Sequence, residues 1–125
     1  MAHEHFKSCI DACNDCALAC DHCASACLKE KDVARMARCI QLDMDCAAIC
    51  RLAVGYMAHG SELAADACEL CASVCEVCAE ECAKHPMGHC QDCAKACRRC
   101  AEECRRMASE RMRKQSGQRP AASAH

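Results

Sequence analysis

The chain has no tryptophan, one phenylalanine and one tyrosine in 125 residues. Nucleic acids are gripped by aromatic stacking and by positive charge, and with a net charge of −2 this sequence offers neither. Leu, Ile, Val and Phe together number only 14, about 11% of the chain, which rules out an ordinary core of branched aliphatics. No run of 18 apolar residues occurs, so no membrane span is supported. The segment from Met1 to Lys7 is polar and leads into no signal-type apolar stretch, which points to a cytoplasmic protein.

What the chain has instead is 19 cysteines and 25 alanines. If it folds, cysteine builds its interior. The cysteine count is odd, so complete internal pairing is impossible, and in a reducing compartment such residues serve as thiols, metal ligands or catalysts rather than staples.

The cysteines fall in four clusters. They are Cys9, Cys13, Cys16, Cys20, Cys23 and Cys27; Cys39, Cys46 and Cys50; Cys68, Cys71, Cys75, Cys78 and Cys82; and Cys90, Cys93, Cys97, Cys100 and Cys104. Within each cluster every step is three, four or seven residues, the inward seam of an amphipathic helix. Once each cluster sets its own frame, chance compliance of the remaining cysteines is on the order of 10⁻⁸.

The punctuation agrees with four helices over roughly 5–29, 33–58, 62–84 and 87–112, each about 35 Å long. Asp32 is a candidate N-cap, Gly60-Ser61 a C-terminal glycine followed by a capping serine, and Pro86 and Gly88 break the chain before the last cluster. Short connections make neighbours antiparallel, so the expected fold is an all-α, up-down-up-down four-helix bundle over residues 1–112. Residues 113–125 lack periodicity and read as a disordered tail. The second helix has an inward register of Met36, Cys39, Asp43, Cys46, Cys50, Ala53 and Met57. Beside it run Leu42, Ile49, Leu52 and Tyr56, and with Ile10, Leu18, Leu70, Val74 and Val77 these read as a subunit interface.

Four uses of a thiol core compete. Cysteine as a small hydrophobe explains one or two positions, not a seam that avoids Leu throughout. Helical neighbours three or four apart hold their Cβ atoms about 5–6 Å apart, too far for a disulfide, which wants about 3.8 Å. CxxC pairs such as Cys13–Cys16, Cys68–Cys71 and Cys90–Cys93 lack the βαβ setting of a redox motif, and nineteen equivalent thiols describe a container rather than an active site. That leaves metal. Zn²⁺ on four thiolates carries −2, which is costly when stacked in a dry core, and iron–sulfur sites use loop-rich spacings. Cu(I) is soft and monovalent; with each thiolate bridging two coppers there is one Cu⁺ per S⁻ and the core is neutral. Eight CxxxC pairs place two sulfurs one turn apart to pinch an ion. About 15–20 Cu(I) per chain follows.

CALACDHCASAC in the first cluster and HCQDCAKACRRCAEEC from His89 to Cys104 resemble the four-helix copper storage proteins, over about residues 5–112. The lack of a signal sequence makes the chain similar to their cytosolic branch. The resemblance implies a homotetramer of bundles, each storing many Cu(I) ions through CxxxC and CxxC pairs, and a fold that exists before metal arrives. Asp43 stands where a further cysteine is expected, either as an oxygen-assisted metal site or as an acceptor for S–H groups.

Two bundle ends compete as the mouth. One gathers Met36, His85, Met87 and His89 beside Cys27, Cys39, Cys82 and Cys90. The other gathers His3, His5, Phe6, Met57 and Met107, with Val54 and Leu63 as plugs. The first is preferred because His89 abuts Cys90. His22 points off the seam, and the pairs Glu80-Glu81, Glu102-Glu103 and Arg105-Arg106 read as a solvated face. The expected function is cytosolic Cu(I) storage or buffering, non-enzymatic, with copper donor and acceptor proteins or low-molecular-weight thiols as partners. The alternatives are a zinc or mixed thiophilic-metal buffer and a redox-active thiol reservoir.

Overall fold

The structure is a computed structural model that describes residues 5–118, with side chains through residue 110. Four helices account for the core: α1 (Lys7–Cys27), α2 (Ala37–Ala58), α3 (Ala64–Ala83) and α4 (Gly88–Gln118), with a 3₁₀ turn at Val33–Met36 leading into α2. Consecutive helices pack on one another, and α4 closes the ring against α1. The pairing of sulfurs fixes the sense. Between α1 and α4, Cys9 meets Cys104 at 3.6 Å, Cys13 meets Cys100 at 3.5 Å and Cys23 meets Cys90 at 3.8 Å, so one helix ascends as the other descends. Between α2 and α3, Cys50–Cys71 (3.7 Å), Cys46–Cys75 (3.5 Å) and Cys39–Cys82 (3.6 Å) show the same antiparallel order. The fold is the up-down-up-down bundle that the short connections require.

Alanine makes this close packing workable. Ala12, Ala17, Ala47, Ala72, Ala79, Ala94 and Ala101 flank the cysteine seams and are all buried. Apart from the buried carboxyl of Asp43, the interior is therefore sulfur and apolar groups, with Met57 and Met107 closing one end and Met36 the other.

The helix ends follow local chemistry. Gly60 takes φ 67°, and its N–H bonds the Met57 carbonyl at 3.1 Å while the Ser61 N–H bonds that of Tyr56 at 2.9 Å. This is a Schellman stop, which satisfies two carbonyls that α2 would otherwise leave free. Ser61 Oγ then accepts the Leu63 N–H at 3.0 Å, but Leu63 rather than Ser61 stands at the N-cap of α3, which has no side-chain cap. Asp32 does occupy the N-cap position, but of the 3₁₀ turn, and its side chain makes no capping bond.

Three expectations need correction. The segment expected as one helix over 33–58 begins with a 3₁₀ turn and becomes α-helical only at Ala37. The last helix does not stop at 112 but continues to Gln118; of the tail expected over 113–125, residues 113–118 are helical and 119–125 lie outside the described residues. The outer stripe is also uneven. Ile10 is buried in the core and Leu42, Ile49, Tyr56 and Val74 lean on it, whereas Leu18, Leu52, Leu70 and Val77 are exposed. Among the described residues no helix is long and apolar enough to cross a membrane.

Candidate metal centre

Every one of the nineteen cysteines is free and has no solvent-exposed surface. Their sulfurs are stacked in layers, one side chain from each helix. Cys13, Cys50, Cys71 and Cys100 form one layer, with Cys13–Cys100 at 3.5 Å, Cys50–Cys71 at 3.7 Å, Cys50–Cys100 at 3.8 Å and Cys71–Cys100 at 3.9 Å. Cys16, Cys46, Cys75 and Cys97 form the next, with Cys46 at 3.6 Å from Cys16, 3.5 Å from Cys75 and 3.8 Å from Cys97. Contacts along each helix join the layers: the CxxxC pairs Cys23–Cys27, Cys71–Cys75, Cys78–Cys82 and Cys93–Cys97 lie at 3.8–3.9 Å. Groups of four sulfurs within 4.8 Å of one another recur along the axis. Each sulfur belongs to more than one potential site, which suits bridging thiolates.

Asp43 takes the α2 place in the third layer, beside Cys20, Cys78 and Cys93. Its carboxyl has no exposed surface. Oδ1 accepts S–H bonds from Cys78 at 3.3 Å, Cys93 at 3.4 Å and Cys82 at 3.5 Å, and Oδ2 faces Cys39 at 4.0 Å. Burial, with the sulfur of Cys93 close by, pushes the group up to about 8. Of the two roles anticipated for Asp43, the metal-free geometry is that of an acceptor for thiols. Burial likewise pushes the Cys90 thiol up to about 11 and raises Cys27, so these two thiols are neutral until a metal displaces their protons.

The end carrying the α1–α2 and α3–α4 turns bears charged and polar side chains above Met36, while its sulfurs stay buried. A cleft of about 450 Å³ there is lined by Glu30, Arg35, Met36, His85, Pro86 and Met87 among others. His89 sits directly on the sulfur column: Nδ1 lies 3.5 Å from Cys23 Sγ, 3.5 Å from Cys90 Sγ and 4.0 Å from Cys27 Sγ. Its Nε2 meets Glu30 at 3.1 Å. His85 Nε2 meets Glu81 at 2.9 Å. The opposite end is closed by Met57 and Met107, with Phe6 against the core; Leu63, expected as a plug, is exposed, and His3 lies outside the described residues. His5 is half-exposed there, and His22 and His59 are exposed.

Glu30 and Glu81 were missed by the sequence reading, and Glu81 was misassigned to a solvated face. It is buried, bonded to Arg38 at 3.2 Å as well as to His85, and its carboxyl is held below its ordinary value by the His85 hydrogen bond and by Lys84. The four-residue step from Glu81 to His85 was a usable signal. Nothing comparable marks Glu30, which is 59 residues from His89.

A buried, layered stack of soft sulfur donors, with His89 against the sulfurs at one end, defines a thiolate container for metal ions. The family model described as copper storage protein matches residues 2–109, and the chain belongs to that family. A curated relative, the uncharacterized cysteine-rich protein YhjQ of Bacillus subtilis, is 49% identical over 91 residues, 73% of this chain and 84% of that protein. Among solved structures, the Cu(I)-bound copper storage protein BsCsp3 of B. subtilis matches at 49% identity and a TM-score of 0.79, covering 86% of this chain and 99% of that one. A cytosolic copper storage protein from Streptomyces lividans, carrying five coppers, matches at 37% identity and a TM-score of 0.82, covering 86% and 95%.

Proposed function

We propose that this protein is a cytosolic store for Cu(I), not an enzyme, and that all nineteen cysteines are its ligands. The observation that carries the reading is the continuous, fully buried sulfur column, in which neighbouring sulfurs lie 3.5–4.0 Å apart from Cys9 to Cys97. Cu(I) is the soft ion such donors select, and its single charge balances each thiolate it displaces a proton from. One ion per sulfur leaves the filled core neutral, whereas several tetrathiolate Zn²⁺ sites would stack a charge of −2 each in a medium that cannot solvate it. The Cu(I)-bound B. subtilis relative and the copper-carrying S. lividans protein support the choice of metal.

The loop end serves as the mouth. Met36, Met87 and His85 take up ions in the cleft, His89 passes them to Cys23, Cys27 and Cys90, and Asp43 supplies an oxygen donor where α2 has no sulfur. The exposed Leu18, Leu52, Leu70 and Val77 belong to contacts within a homotetramer. Copper arrives from, and leaves to, donor and acceptor proteins or low-molecular-weight thiols.

Anaerobic titration of the reduced protein with Cu(I) in a competing chelator tests the reading. Uptake of about 15–20 ions per chain is expected. Saturation below about five ions, or a preference for Zn²⁺ at four sulfurs per ion, would replace it with a zinc buffer. Reversible disulfide cycling without a stable metal load would replace it with a redox reservoir.

A further inference from the structure

We infer that Glu30 is a positioning residue, which fixes the tautomer of His89 so that an unprotonated Nδ1 faces the sulfurs at the mouth. The inference rests on the proposed reading of that end as the place of Cu(I) uptake. A neutral imidazole carries its proton on one nitrogen only, and an ionised carboxylate can only accept. With Nε2 at 3.1 Å from Glu30 Oε2, the proton belongs on Nε2 and the lone pair on Nδ1. That lone pair is where Cys23 and Cys90, each at 3.5 Å, and Cys27, at 4.0 Å, converge. In the metal-free protein it is placed to accept an S–H bond from Cys90. Once Cu(I) has displaced the thiol protons, the same lone pair is already aimed into the space between the sulfurs. The opposite tautomer would put an N–H there and oppose any cation.

The chain places Glu30 for this purpose without a helix. Its N–H bonds the Cys27 carbonyl at 3.1 Å, so the turn that leaves α1 carries the carboxylate over the mouth directly from the last sulfur of that helix. About a third of its side chain is exposed, so removing it opens no cavity in the core. The pairing of His85 with Glu81 has the same form, but Glu81 also holds Arg38 and Lys84 and ties α2 to α3. Glu30 has the simpler role, and outer carboxylates of this kind orient metal-binding histidines in many sites.

The test is ¹⁵N NMR of the imidazole nitrogens in the reduced, metal-free full chain at about pH 8. A His89→Asn variant assigns the His89 signals. The expected result is a pure Nε2–H tautomer in the wild type and a mixture in Glu30→Ala. Cu(I) titration in a competing chelator, read at the same nitrogens, should then show affinity at the His89 position reduced about 10–100-fold in the variant. If Ala disturbs the turn, as seen by circular dichroism, Glu30→Leu keeps the stem and removes only the acceptor, and the same two readings apply. An Nδ1–H tautomer in the wild type, or an unchanged tautomer and affinity in the variants, would overturn the assignment. Failure of the wild type to take up Cu(I) would instead overturn the storage reading and leave the metal-free tautomer to be judged by itself.

Discussion

At the residue scale, the core's sharpest departure from its own pattern is Asp43, a fully buried carboxyl at a seam position of α2. Folding moves this group from the ordinary carboxylate value of 3.8 to about 8, because burial disfavours its charged form. The native state therefore binds one more proton than the unfolded chain between those two values. The stabilising contribution is complete below about pH 4 and is lost as pH rises toward 8, so the metal-free protein weakens across that window, by a few kcal/mol in order of magnitude. Asp43→Asn, which keeps the shape and cannot ionise, should flatten the profile; denaturant midpoints of both proteins at about pH 5 and pH 8, under reducing conditions, check it. A wild-type midpoint that does not fall would show that the carboxyl ionises freely in the core. The sequence could place Asp43 on the inward seam of α2 but not say what it faced. Cys78, Cys82 and Cys93 come from α3 and α4, 35–50 residues away, and no local spacing reveals a partner at that distance. The cysteines needed no such knowledge, since a seam with one residue type finds sulfur opposite sulfur in any sensible register.

At the element scale, the helices were legible because their signal is periodic and long, and their ends were legible only where a residue has a single conformational use. Gly60 is such a residue. Its φ of 67° costs an L side chain about 1–2 kcal/mol, so Gly60→Ala should destabilise the metal-free protein by that amount, read as a lower urea midpoint at unchanged slope. Copper capacity should not change, because the turn lies past Met57, beyond the last sulfur of α2. An unchanged midpoint would mean the turn relaxes out of the Schellman geometry at no cost. Where chemistry is less exclusive the reading slipped. Asp32 can cap a helix, yet here the chain first makes a 3₁₀ turn that swings Met36 over the core. Arg113, Lys114 and Gln115 are sound helix formers, and without a proline before Pro120 nothing stops α4 at 112; loss of apolar periodicity marks the end of packing, not the end of a helix.

At the scale of the whole molecule, the central question is whether metal makes the fold or merely fills it. In a zinc-finger-like domain the binding free energy is folding free energy, and the metal-free chain is unstructured. Here the layers close in the protonated state: buried neutral thiols pack as small hydrophobes and meet one another and Asp43 at 3.3–4.0 Å without any ion. Copper then exchanges for protons inside a finished bundle. Each Cu(I) taken up by thiols that are neutral beforehand releases about one proton per sulfur engaged, so its affinity should fall about tenfold per pH unit for each proton involved as the solution is acidified. The Asp43 contribution to the fold runs the other way, because it favours the protonated, acidic side. Acid should therefore empty the protein and leave it helical. Following copper release to a chelator and far-ultraviolet circular dichroism together, from about pH 8 down to about pH 4, separates the two cases: loss of metal at constant helicity identifies a preformed container, whereas coincident loss of both would make copper a structural component of the bundle.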